Sequence, residues 1–247
     1  MMTTKQTYKT GLGTSDADSI TLLGHDLATE ILGKYSFGEL SYYLITKRRP
    51  TPGQLVMFEA VLASLADHGF TPTAIAARLT YASAPDSLQG ALAAGLLGGG
   101  SRFLGVTEDC AHFLARELKE IGDAPTTQDG WDAAALNAVQ RQRDIGKFVP
   151  GLGHPVHKQG DPRTPVLIAM AREQGLFGSH LSLCEAIGRM HAQVLGKTLP
   201  LNGAGVCGAV LADAGIPMGV MRGVALLARC AGLLGHLVEE QTDPIGI

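Results

Sequence analysis

The chain has 247 residues, of which 45% are hydrophobic and 17% charged, with a formal net charge of −3. That balance belongs to folded globular chains and excludes an intrinsically disordered one; without a long basic run there is no electrostatic footprint for nucleic acid. Four cysteines, Cys110, Cys184, Cys207 and Cys230, lie far apart with no C-x-x-C pair. They read as small apolar core residues in a reducing compartment.

In chain order, the polar start MMTTKQTYKT shows no secretory pattern, and a cytoplasmic setting is expected. SITLLG (19–24) is the best candidate for a short strand. Lys47-Arg48-Arg49 is the one basic cluster, either a solvated helix end or a contact for an anionic ligand. Thr51-Pro52-Gly53-Gln54 supplies an N-cap, a proline at the first helical position and a capping-box glutamine. Leu55, Phe58, Leu62 and Leu65 follow at helical spacing, and Gly69 is expected to end the run. Similar patterns predict helices near 73–82, 86–97, 107–121, 131–144, 164–174, 180–195, 204–214 and 218–240. Glycine or proline punctuates nearly every junction, which makes this an all-α chain of nine or ten helices. The most apolar stretch, 223–238, carries an arginine and a histidine and reads as too short to span a membrane. Many of the 32 glycines, including Gly203, Gly205, Gly208, Gly219, Gly223, Gly232 and Gly235, sit inside helical patterns. Each costs about 1 kcal/mol against alanine in an exposed helix, so close helix–helix approach is expected, within the chain or across an oligomer interface.

Residues 150–163, PGLGHPVHKQGDPR, concentrate three glycines, three prolines, two histidines, a lysine and an arginine between two helical patterns. Glycines expose backbone N–H groups and allow close approach, and Lys158 and Arg163 add positive charge, so the loop suits an anionic ligand. A structured turn without ligand is the alternative. The spacing is not that of a phosphate-cradling P-loop or a dinucleotide fingerprint. His154 and His157 have no carboxylate or cysteine cluster beside them in sequence, so no metal site is expected.

GHPVHKQGDPR resembles the G-H-x-V-x-K-x-x-D-P-R signature of the citrate synthase superfamily. Residues 64–100, beginning SLADHGF, resemble the family's A-D-H segment and the helices after it. ALLARCAGLLGHLVEE (225–240) is similar to its final core helix, and residues 24–54 to its entry segment. SRFLG (101–105) is closer to the R-F-G-G of citryl-CoA lyase-type members, such as the C-terminal module of ATP-citrate lyase, than to the H-G-G of citrate synthases. The resemblance implies an all-α citrate synthase-like fold forming one unit over 1–247. Its large lobe would be 1–105 plus 200–247, its small lobe 106–199, with the active site in the cleft between them.

It also implies a homodimer that cleaves or forms a C–C bond between an acetyl-CoA-type thioester and oxaloacetate or a similar 2-oxo acid. Coenzyme A is then a substrate, and no tightly bound cofactor, nucleic acid or membrane partner is expected. His154 matches the histidine beside the substrate carbonyl or hydroxyl oxygen. Arg163 and Arg229 match the arginines that clamp substrate carboxylates, and His68 a histidine that binds the same dicarboxylate. Lys158 lies where the family binds coenzyme A. Asn202 falls where the family has its catalytic aspartate; an amide cannot act as a base, although it donates a hydrogen bond. Phe103 stands where citrate synthases carry an enolate-stabilising histidine. Pro155 and His157 are further local departures, and the end DPIGI lacks the family's basic tail. A protein that keeps the binding site but has altered or lost the chemistry is the alternative.

Overall fold

A computed structural model describes residues 9–245. The polar start before residue 9 and the last two residues of DPIGI lie outside the described residues. A small antiparallel sheet opens the chain: β1 (Gly13–Ser15) pairs with β2 (Ile20–Leu22), and β2 with β3 (His25–Asp26). The strand expected at 19–24 is therefore its central strand. A single wide turn over Leu27–Ile31 leads into ten α-helices among the described residues. They are α1 (Phe37–Thr46), α2 (Pro52–Leu65), α3 (Pro72–Ser83), α4 (Leu88–Leu97) and α5 (Val106–Ile121), then α6 (Gln128–Asp144), α7 (Arg163–Glu173), α8 (Ser179–Leu195), α9 (Gly203–Asp213) and α10 (Met221–Thr242).

The helix starts follow local chemistry. Thr51 and Gln54 close the capping box of α2, and Thr71 before Pro72 caps α3. α2 ends at Leu65, four residues before Gly69, which adopts φ +65° in the turn that follows. Lys47 takes the left-handed position that ends α1, and Arg49 stacks over Tyr35 and pairs with Glu39. The basic cluster is thus a helix end. α8 borrows its cap, because Asp213 at the end of α9 accepts the N–H groups of Gly178, His180 and Leu181.

The main core joins α1, α2 and α5–α9 with the start of α10, around Tyr42, Phe58, Leu114, Leu181, Ile187, Leu211 and Met221. It draws on residues from both sides of the 105/106 and 199/200 boundaries. A smaller cluster of Ala74, Ala77, Ala91, Leu233 and Leu237 joins α3, α4 and the second half of α10. Cys110, Cys184 and Cys207 are buried in the main core; Cys230 is partly exposed.

Helical glycines mark the tightest crossings. A Cβ on Gly208 would lie 2.1 Å from the Thr107 carbonyl oxygen, and one on Gly232 would lie 2.0 Å from that of Ala66. Gly203 and Gly205 are similarly hemmed in. Gly219, Gly223 and Gly235 face open space instead, so packing within the chain does not account for them.

α10 lies where the sequence predicts a helix, near 218–240. With the 3₁₀ turn before it, the helical run Met218–Thr242 covers 25 residues, long and apolar enough to cross a membrane by length and composition. The apolar stretch 223–238, read from the sequence as too short to span, is only part of that run. At its end, Arg78 on α3, 1% exposed, donates from Nε to the buried Glu240 at 2.5 Å and from Nη1 to the largely exposed Glu239 at 2.8 Å. Arg78 Nη2 reaches the Asp243 carbonyl, so one guanidinium fastens the end of α10 to α3. Breaking a buried pair from one side typically costs about 3–5 kcal/mol. Arg78→Leu, which strands the buried Glu240 carboxylate, is expected to lower the unfolding free energy by about that much in urea titrations.

Candidate active site

The loop 150–163 is tied down on the residues that precede α9. Gly153 N–H donates to the Pro200 carbonyl at 2.7 Å, Asn202 N–H donates to Gly151 at 2.9 Å, and Leu152 bridges Leu201 in antiparallel fashion. Gly151 is there because the crossing admits no side chain: its φ is +88°, and a Cβ would meet the Cys110 sulfur at 2.9 Å. Above this crossing opens a cavity of about 470 Å³, within the size range of small-molecule sites. His68, His154, Arg163, Asn202 and Arg229 all line it, together with Phe103. Five of the six site residues expected from the sequence therefore meet in one place. Lys158 does not line the cavity; it is exposed further along the loop.

His154 is oriented by backbone. Its Nδ1 accepts the N–H groups of Val156 and His157 at 3.1 and 3.0 Å. The neutral ring then carries its proton on Nε2, so its free edge is a hydrogen-bond donor. Burial, followed by the neighbouring His157, pushes its pKa below the usual histidine range. Burial and Arg163 do the same for His68, whose ring nitrogens have no hydrogen-bond partner among the described residues. Both rings are neutral near pH 7.

The two arginines differ in kind. Asp161, 3% exposed, accepts Arg163 Nε and Nη2 at 3.0 and 2.8 Å and the Gly203 N–H at 2.7 Å. Burial alone would raise the Asp161 pKa, but these donors outweigh it and hold the carboxyl well below the usual range. Arg163 Nη1 donates to the Ser64 carbonyl. Arg163 is thus a charge-compensated anchor with N–H groups left over. Arg229, 5% exposed, has only long contacts of 3.3–3.4 Å, to the Leu65 carbonyl and the Thr71 hydroxyl. No carboxylate pairs with it among the described residues, and burial, partly offset by Asp67, lowers its pKa. An ordinary arginine remains charged after such a shift. The cavity therefore holds a buried cation lacking a counter-ion.

Folding also brings in His157, whose nitrogen lies within 4.8 Å of those of His68 and His154. Three histidines at this spacing are a possible metal set, but the donor set fits poorly: a metal needs a lone pair where His154 carries its Nε2 proton. Thr107 and Asp109, which sequence reasoning missed, also line the wall. Their only sequence signal is position, just after SRFLG at the start of α5.

Asn202 is not a free reactant. Its Oδ1 caps α9 by accepting the Gly205 N–H at 2.8 Å, and its Nδ2 donates to the Gly153 carbonyl at 2.8 Å. The amide locks α9 to the loop. An aspartate here keeps the cap but turns a second acceptor toward a carbonyl, leaving both without a proton. Asn202→Asp is expected to destabilise the protein by about 1–3 kcal/mol, measured by urea unfolding, with the loss shrinking at pH values low enough to protonate the new carboxyl.

Residues 13–246 match the family described as citrate synthase, C-terminal domain. Citrate synthase from Deinococcus radiodurans is 29% identical over 211 residues, which make up 81% of this chain and 51% of that protein. Putting the two side by side, this chain spans about half the length of such relatives. Among solved structures, citryl-CoA lyase from Hydrogenobacter thermophilus superposes with a TM-score of 0.84 at 30% identity, covering 96% of this chain and 88% of the other. ATP citrate lyase from Methanothrix soehngenii, in complex with citrate and coenzyme A, shares the fold with a TM-score of 0.78 at 22% identity, over 96% of this chain and 39% of the other. The motifs, the mostly helical architecture and these matches agree, and the chain belongs to the citrate synthase family.

Proposed function

We propose that the protein is an acyl-CoA C–C lyase or synthase of the citryl-CoA lyase type. It would cleave or form the bond between an acetyl-CoA-type thioester and oxaloacetate or a similar 2-oxo acid. One observation carries this reading: the buried, uncompensated Arg229 and the outward Nε2–H of His154 share one cavity. A carboxylate supplies the counter-ion that Arg229 lacks, through a charge-assisted pair. With the carboxylate held there, His154 donates to the oxygen that interconverts between carbonyl and hydroxyl. In cleavage the hydroxyl proton needs an acceptor. His68, neutral and with neither nitrogen held by the protein, takes that role. Coenzyme A enters as substrate, and Lys158 is available to its phosphates from outside the cavity. Residues 106–199 are read as the smaller lobe and the remainder as the larger.

Incubation with citryl-CoA should release oxaloacetate; no turnover by folded protein would remove citryl-CoA as substrate. Arg229→Ala should cost about 2–5 kcal/mol in carboxylate binding, lowering the affinity for a di- or tricarboxylate at least tenfold in calorimetry. Unaltered affinity would place the carboxylate elsewhere.

A second reading, a binding protein with altered chemistry, is favoured by Asn202, whose amide is committed to structure where the family resemblance expects a carboxylate. Tight binding without turnover on citryl-, methylcitryl- and malyl-type thioesters would support it.

The homodimer implied by the resemblance is supported by α10. Leu234 and Val238 are exposed, and Gly219, Gly223 and Gly235 lie open, giving a face that a second copy can approach closely. Light scattering at micromolar concentration should give about twice the 25.8 kDa chain mass; a clean monomer would count against it.

A further inference from the structure

α5 begins without a side-chain cap. Its N-cap is Gly105, and the N–H groups of Val106, Thr107 and Glu108 have no acceptor among the described residues. A 16-residue helix therefore leaves its first N–H groups without acceptors, with Glu108 and Asp109 as the only charges in that turn, and Val106, Thr107 and Asp109 line the cavity. A second, independent feature lies at the same place. Thr107 is 1% exposed, and its Oγ1 has no hydrogen-bond partner. A helical threonine ordinarily satisfies its hydroxyl on a carbonyl one turn back. Buried hydroxyls without partners are rare in folded proteins because each is costly. A bound oxygen acceptor would answer both features.

The position of this acceptor follows from packing. α5 meets α9 where a Cβ on Gly208 would touch the Thr107 carbonyl, six residues along α9 from the cap at Asn202. On α10, Arg222 pairs with Glu108 at 3.2 Å, while Arg229, seven residues on, reaches the Leu65 carbonyl. At 1.5 Å rise per residue those two points are about 10 Å apart. The cavity thus has two polar poles, a cationic one at Arg229 and a neutral donor pole at α5. Glu108 and Asp109, both held by Arg222, flank the second pole and disfavour a phosphate or free carboxylate there. An uncharged carbonyl oxygen is the acceptor that fits. Phe103 lies beside it and provides an apolar wall.

We infer that the N-terminus of α5 with Thr107 is an oxyanion site. There the Thr107 hydroxyl donates to a thioester carbonyl oxygen and strengthens its bond as that oxygen becomes an enolate. The donor site stands on geometry alone; that the oxygen belongs to a thioester rests on the reading in the preceding subsection. In cleavage the C–C bonding pair moves onto the thioester as the enolate. The hydroxyl carbon becomes the ketone of the 2-oxo acid, and the hydroxyl proton goes to the base, which returns it to the enolate carbon to give acetyl-CoA. Thr107 keeps its own proton throughout.

The test uses Thr107→Val and Thr107→Ser in the full chain. Valine deletes an unpartnered hydroxyl at nearly constant volume, so the melting temperature should stay equal or rise, separating catalysis from folding. Loss of one oxyanion donor typically costs about 10²–10³ in kcat. Citryl-CoA cleavage by Thr107→Val should fall by that factor with KM little changed, and Thr107→Ser should stay near wild type. Calorimetry with acetyl-CoA and with coenzyme A adds a readout free of turnover: wild type should prefer acetyl-CoA, and Thr107→Val should lose that preference. Wild-type kcat in Thr107→Val would overturn the oxyanion assignment and leave the lyase reading intact. A wild type inert toward citryl-CoA, with the acetyl-CoA preference still dependent on Thr107, would sink the lyase reading and keep the donor site. An inert wild type with no such preference would overturn both.

Discussion

The site depends on the buried carboxylate of Asp161 and what it holds together. One oxygen accepts the first N–H of α9, at Gly203, and a guanidinium N–H of Arg163; the other accepts the Arg163 backbone N–H and Nε. Asp161 thereby fixes the end of the 150–163 loop, the start of α7 and the start of α9 at one point. Asn202 repeats the device a residue earlier, bonding the loop at Gly153 and capping α9 at Gly205. Charge-assisted bonds of this kind strengthen when water is excluded. The base of the loop that carries His154 is referenced to this knot.

That arrangement produces an asymmetry of charge with chemical consequences. Arg163 and Asp161 neutralise each other, so Arg163 shapes the wall more than it attracts a ligand. Arg229 is buried with only carbonyl and hydroxyl neighbours, and desolvation of an unpaired cation is costly unless a ligand supplies the opposite charge. The neutral histidines beside it are held so chiefly by burial, then by His157 for His154 and by Arg163 for His68. The cavity is organised to receive negative charge at one end while offering neutral donors to an oxygen elsewhere.

Close backbone approach makes the geometry possible. A Cβ on Gly205 would lie 2.5 Å from the Gly151 Cα, one on Gly151 would meet the Cys110 sulfur at 2.9 Å, and Gly208 lets α5 settle against α9. These contacts set the depth of the cavity floor and bring the first turn of α5 into its wall. The same helical texture leaves open space at Gly219 just before α10 and at Gly223 and Gly235 within it, where no described residue comes near.

Much of this was legible in the residues. Helical spacing of apolar side chains, the Thr51–Gln54 capping box and the glycine and proline punctuation determine the helices, because those signals act within one or two turns of chain. The 150–163 motif together with His68 and Arg229 marks the cavity. Other features were decided only by tertiary structure. Which arginine is neutralised depends on Asp161 meeting the α9 backbone, and the commitment of Asn202 depends on the Gly153 carbonyl across the loop. The end of α10 is fastened to α3 because Arg78, about 160 positions earlier, meets its two glutamates. The role of Thr107 is invisible in one dimension, since an unsatisfied hydroxyl is defined by the partners that folding fails to bring. Local propensity acts over neighbouring residues, whereas hydrogen-bond satisfaction and charge compensation are settled by groups that meet only when the chain closes on itself.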